Sequence, residues 1–80
     1  MIDEAAIRTV FADVLHLTDA VEWTSIRYGH TEGWDSLGHM GIVAELEDHF
    51  GIMLDTQDVI DMSSYERAVE VVAKLLGENT

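Results

Sequence analysis

Asp35-Ser36-Leu37, preceded by Gly33-Trp34, sets a hydroxyl between an acid and a leucine where an irregular stretch gives way to helical periodicity. A serine at a helix start faces the positive end of the helix dipole, where free backbone N–H groups favour a bound or attached phosphate. The chemistry expected of Ser36 is that of a phosphate-bearing position at a junction another protein can reach. Ser and Asp are also preferred N-cap residues, so the same pair could serve only to start the helix. His39, three residues on, invites a Ser-His nucleophile pair, but no orienting third group, oxyanion hole or cleft accompanies it in the sequence. No catalytic residue is expected. His16, His30 and His49 are too scattered for a metal cage, and Asp55-Thr56-Gln57-Asp58 with Asp61 lacks the glycine and terminal glutamate of a calcium loop, so no metal site is expected.

The elements that must position Ser36 follow from hydrophobic spacing. Ile7, Val10, Phe11, Val14 and Leu15 recur at helical intervals. They predict a first helix from Glu4 to Leu15, with Asp3 as N-cap and Ile2 stapled on Ile7. From His16 to Asp35 the period lapses into a long loop, functional by its length, with Val21, Trp23, Ile26 and Tyr28 available to pin it down and Trp23 and Trp34 as anchors. After Ser36, Met40, Val43, Leu46 and Phe50 align on one side with Ile42 beside them, and Gly51 is a natural stop. A short turn is expected from Thr56 to Ile60. A last helix starts at Ser63-Ser64-Tyr65-Glu66, which has capping-box spacing, and carries Tyr65, Ala68, Val69, Val72, Leu75 and Leu76 inward until Gly77. Glu70 and Lys74 are expected to pair on its wet side. The fold class expected is all-α: a small four-helix bundle, three longer helices plus a short third, with a long first loop.

Eighty residues predict one domain, 1–80, with one modest core. There is no cysteine, so any thiol chemistry must come from outside the polypeptide. Sixteen acids against four Lys/Arg give a net charge of -12, which repels nucleic acid and anionic membranes and attracts basic protein patches. The start, Met1-Ile2-Asp3-Glu4, shows neither a signal peptide nor a spanning helix, and a cytoplasmic monomer is expected.

Gly33-Trp34-Asp35-Ser36-Leu37, together with the first helix, the long loop, the acidic second helix ending in Glu47-Asp48-His49-Phe50-Gly51, the short third turn and the closing helix, resembles an acyl carrier protein over essentially the whole chain. The resemblance implies that Ser36, flanked by Asp35 and Leu37, is esterified by 4'-phosphopantetheine. The thiol of that arm would carry acyl groups as thioesters between the enzymes of a fatty-acid-like, polyketide-like or other specialised pathway. His39 would flank the arm or stand as an ordinary polar residue. The outward face of the second helix, Leu37, Gly41, Ala44, Glu45 and Asp48, would dock a phosphopantetheinyl transferase and acyl- or aminoacyl-activating ligases, acyltransferases or synthases through their basic patches. Met40, Val43, Leu46, Ile60 and Val72 are the expected lining for a sheltered acyl chain. Gly38 and Gly41 stand where the fatty-acid type often carries acids; they clear space for a partner and lean toward a dedicated, specialised pathway. The alternatives are an aminoacyl or peptidyl carrier, and a helical protein-interaction adaptor whose Asp35-Ser36 only caps a helix.

Overall fold

The computed structural model describes residues 3–18 and 20–77. Among them are α1 (Glu4–Leu15), a single 3-10 turn (Trp23–Ser25), α2 (Ser36–Phe50), α3 (Thr56–Asp61) and α4 (Tyr65–Leu75). The sole β pairing among the described residues is an isolated antiparallel bridge between Arg27 and Ser64.

Each helix starts where a short polar side chain meets an amide that the helix itself leaves free. Asp3 accepts from Ala6 N–H at 3.1 Å and opens α1, as expected; the staple of Ile2 on Ile7 lies outside the described residues. The helix stops at His16, whose backbone is left-handed at φ 56 and whose N–H returns to the Ala12 carbonyl. Asp35 accepts from Gly38 N–H at 3.0 Å and opens α2, which ends at left-handed Gly51. At α3 the capping is reciprocal: Asp55 accepts from Asp58 N–H at 2.8 Å, and Asp58 accepts from Asp55 N–H at 3.3 Å. The capping box expected at Ser63 and Glu66 is not the one formed. Ser64 is the N-cap of α4 and binds Arg67 N–H at 3.1 Å, which puts an arginine where the box needs a glutamate.

The core is built around Phe11. Its ring meets Trp34 edge-on at 5.1 Å and Tyr65 at 5.4 Å, and Ile7, Ile42, Leu46, Met62 and Val72 are fully buried about it. Trp34 and Ile26 pin the long loop into this core, while half-buried Trp23 lies on the Tyr65 ring at 4.7 Å. The loop is also laced to the start of α4: Tyr28 N–H donates to the Ser63 carbonyl and Tyr65 N–H to the Ile26 carbonyl, both at 3.0 Å.

Three expectations are corrected here. The buried stripe of α2 contains Ile42, Val43 and Leu46, whereas Met40 is 59% exposed. α2 packs against α1, and Met40 falls outside the sector of α2 that the core buries. The two glycines of α2 face inward. A methyl on Gly38 would collide with the Gly33 carbonyl oxygen, and one on Gly41 would lie 3.2 Å from Val14 Cγ1, so both serve close packing inside the molecule. Lys74 does not pair with Glu70: its Nζ reaches Asp58 Oδ1 at 2.8 Å, and Glu70 is taken by Arg67 at 2.6 Å. The inter-helix pair wins because Asp58 is buried and a buried carboxylate requires a partner.

Candidate functional site

Ser36 is the first residue of α2 and its side chain is exposed. Asp35, one residue earlier, performs the capping, so the Ser36 hydroxyl has no structural duty at the helix start. Its neighbour is the phenol of Tyr28, 3.4 Å from oxygen to oxygen. The His39 N–H is satisfied by the Asp35 carbonyl at 2.8 Å and the Gly38 N–H by the Asp35 carboxylate, while the amides of Ser36 and Leu37 have no intrahelical acceptor. Asp35 is the one acid at this helix end, no acid lies inside the first turn of α2, and the free amides of Ser36 and Leu37 stand beside the hydroxyl.

His39 stands one turn further on and is half-buried. The Trp34 indole can only donate, so His39 Nδ1 accepts from it at 2.8 Å, and the proton sits on Nε2, which donates to the Val59 carbonyl at 2.8 Å. The imidazole also stacks on Trp34 and meets the Tyr28 ring edge-on at 5.2 Å. Both ring nitrogens are thereby committed, and neither touches Ser36. The histidine ties α2 to α3 and is not poised as a base.

Beside this cluster a cleft of about 280 Å³ opens between the loop and α3, lined by Tyr28, His39, Val59, Ile60, Met62 and Ser63. A second, more polar groove of about 400 Å³ lies across the shared wall of Tyr28 and Ser63 and is bordered by Arg27, His30, Ser64 and Glu66. Of the five lining candidates, Ile60 borders the cleft and is 65% exposed; Val43, Leu46 and Val72 lie in the core, and Met40 faces solvent. On the outward side of α2, Leu37 is 83% exposed, Ala44, Glu45 and Asp48 are exposed too, and Gly41 is half-buried against α1. Tyr28, Val59, Met62 and Ser63 are site residues that sequence reasoning did not assign. Tertiary packing alone brings Tyr28 to Ser36 and gathers the four around one cleft, and the contact of Val59 with His39 is through its carbonyl, which leaves no trace in side-chain pattern.

Five other titratable groups are engaged elsewhere in the fold. Asp58, fixed by the Lys74 ammonium and its capping bonds, titrates below the usual carboxylate range despite burial, and Lys74 titrates above its own. Asp61 accepts from Gln57 at 2.9 Å. Far from Ser36, burial pushes the Tyr65 phenol up, while Arg8 Nε, donating to it at 3.1 Å, opposes the shift.

Residues 5–72 match the family model for the phosphopantetheine attachment site, and the chain belongs to that family. Its members bear a 4'-phosphopantetheine prosthetic group, so this is a phosphopantetheine carrier, with the four-helix fold that the acyl carrier protein resemblance implies. No curated protein and no solved structure matches the chain. The surroundings of Ser36 suit the phosphodiester of such a group: an exposed hydroxyl, two free amides in the first turn of α2 and a phenol within reach. No helix among the described residues is long and apolar enough to cross a membrane.

Proposed function

We propose that Ser36 is the attachment serine and that the chain, as one carrier unit, delivers acyl groups between the enzymes of a fatty-acid-like, polyketide-like or other specialised pathway. The observation that carries this reading is the division of labour at the start of α2, where Asp35 caps the helix and the adjacent Ser36 hydroxyl is left exposed and unused by the fold. When bound, the arm supplies the thiol that the cysteine-free chain lacks and on which cargo is held as a thioester. The chain's own residues hold its root at α2, offer the apolar cleft beside it, and present Leu37, Ala44, Glu45 and Asp48 to basic partners: the transferase that installs the arm, and the ligases, acyltransferases or synthases that load and unload it. The acid before the serine and the charge of -12 favour acyl over aminoacyl or peptidyl cargo.

Intact mass after incubation with coenzyme A and a phosphopantetheinyl transferase tests the assignment. One arm is expected on the wild type and none on Ser36→Ala. Because the cap is Asp35, Ser36→Ala should fold with a stability change within about 0.5 kcal/mol, as for an ordinary surface substitution. Equal modification of the variant refutes Ser36 as the site.

A further inference from the structure

We infer that the Tyr28 phenol donates a hydrogen bond to the phosphodiester on Ser36 and so fixes the root of the prosthetic arm. The inference rests on Ser36 being the attachment serine. In the protein without its arm, the phenolic oxygen lies 3.4 Å from Ser36 Oγ, beyond the usual range for two hydroxyls. The contact is weak, yet it is the one hydrogen bond this phenol makes among the described residues. In the transfer from coenzyme A, Ser36 Oγ bonds to the phosphorus that bears pantetheine, the bond from that phosphorus to the adenosine bisphosphate breaks and this group leaves, and the serine proton is released to solvent; two non-bridging oxygens sharing one negative charge then stand two bonds from Oγ. The phenol then faces a charged acceptor, and charge-assisted bonds are shorter and roughly twice as strong as neutral ones.

Tyr28 is held for this role by its surroundings. Its ring meets Trp34 edge-on at 6.3 Å and His39 at 5.2 Å, and those two are joined by their own hydrogen bond. Its N–H donates to Ser63, its carbonyl faces His30 Nδ1 at 3.3 Å, and the next amide, Gly29 N–H, donates to the Trp34 carbonyl at 2.9 Å. His39 cannot compete for the phosphate, since both of its nitrogens are engaged. The ring is 40% exposed, so packing alone gives no reason for the hydroxyl; phenylalanine would fill the same wall.

Tyr28→Phe keeps the ring and removes only the donor. Wild type and variant are loaded with coenzyme A and a phosphopantetheinyl transferase, and intact mass together with Ser36→Ala locates the arm. Phosphorus-31 spectra of both loaded proteins are then compared, along with carbon-13 spectra of protein labelled at tyrosine Cζ, before and after loading. The chain has two tyrosines, and Tyr65, bound by Arg8, is the internal reference. The expected result is a Tyr28 Cζ resonance that moves on loading while that of Tyr65 stays, and a phosphorus resonance displaced and narrowed in loaded Tyr28→Phe. An arm on Ser36 with the same phosphorus resonance in both proteins and an unmoved Tyr28 Cζ overturns the inference and leaves the attachment site standing. No arm on Ser36 overturns the attachment site and this inference with it.

Discussion

Gly38 occupies the first turn of a helix at a cost of about 1 kcal/mol relative to alanine, and sterics explain why it is there. The chain at Gly33, itself at φ 86, returns so closely over the start of α2 that a side chain at 38 has no room. Gly38→Ala should therefore destabilise the protein by about 1–3 kcal/mol, the range for overpacking, in spite of the better helix former. Gly41→Ala meets a side-chain methyl of Val14 and should lose clearly less. Chemical denaturation of the two variants decides it, and a stabilised Gly38→Ala contradicts the packing account. In the sequence both glycines looked like clearings for an outside partner: the backbone over Gly38 belongs to a loop without periodicity, and the approach of Val14 on α1 to Gly41 is set by how the two helices cross. His39 was partly legible: its inward, site-facing position follows from helical register, but its bonds to Trp34 and to a backbone carbonyl on α3 do not.

At the scale of elements, α3 is the exposed point. Six residues are far too few for a helix to persist alone, so α3 depends on its reciprocal cap and on the Lys74–Asp58 link to α4. The Asp58 carboxyl is held below its ordinary value, so its stabilisation is complete above about pH 4 and is lost as the pH falls through the depressed folded value. Lys74, raised above its ordinary value, contributes fully below about pH 10 and loses that contribution as the pH climbs through the raised one. Asp58→Asn should thus lower the melting temperature at neutral pH, with the gap to wild type closing in strong acid; parallel melting curves at every pH would refute the link. On α2 the proposed docking face includes two exposed acids, Glu45 and Asp48. Glu45→Lys and Asp48→Lys should slow transfer to partner enzymes with the helical content unchanged, and wild-type transfer should weaken as salt shortens the screening length below its physiological value of about 8 Å. Unchanged rates in both variants, insensitive to salt, would remove that docking face. Helix order and most helix ends were legible because caps and apolar spacing are local. The Lys74 partnership was not, since a favourable neighbour at i−4 concealed a buried acid on another helix.

For the molecule as a whole, the cleft bordered by Tyr28 and His39 is small, and Val43, Leu46 and Val72 are not in its wall but buried in the core. A longer acyl chain reaches them only if α3 moves away from α2, against the His39–Val59 bond. Cargo that binds the folded state raises its stability by linkage. The medium-chain acylated form should melt higher than the form bearing the bare arm and should exchange amides more slowly in α2 and α3; identical behaviour of the two, with the acyl chain exposed to solvent, would end the sheltering idea. The separation of Asp35 from Ser36 has a consequence for how the protein is made and used. Esterification at Ser36, as proposed, consumes none of the helix's capping bonds, so the chain can fold before it is primed and offer the transferase a helix face that is already built. On the inference for Tyr28, priming adds a tie between the loop and α2 and takes away none of the bonds that start the helix.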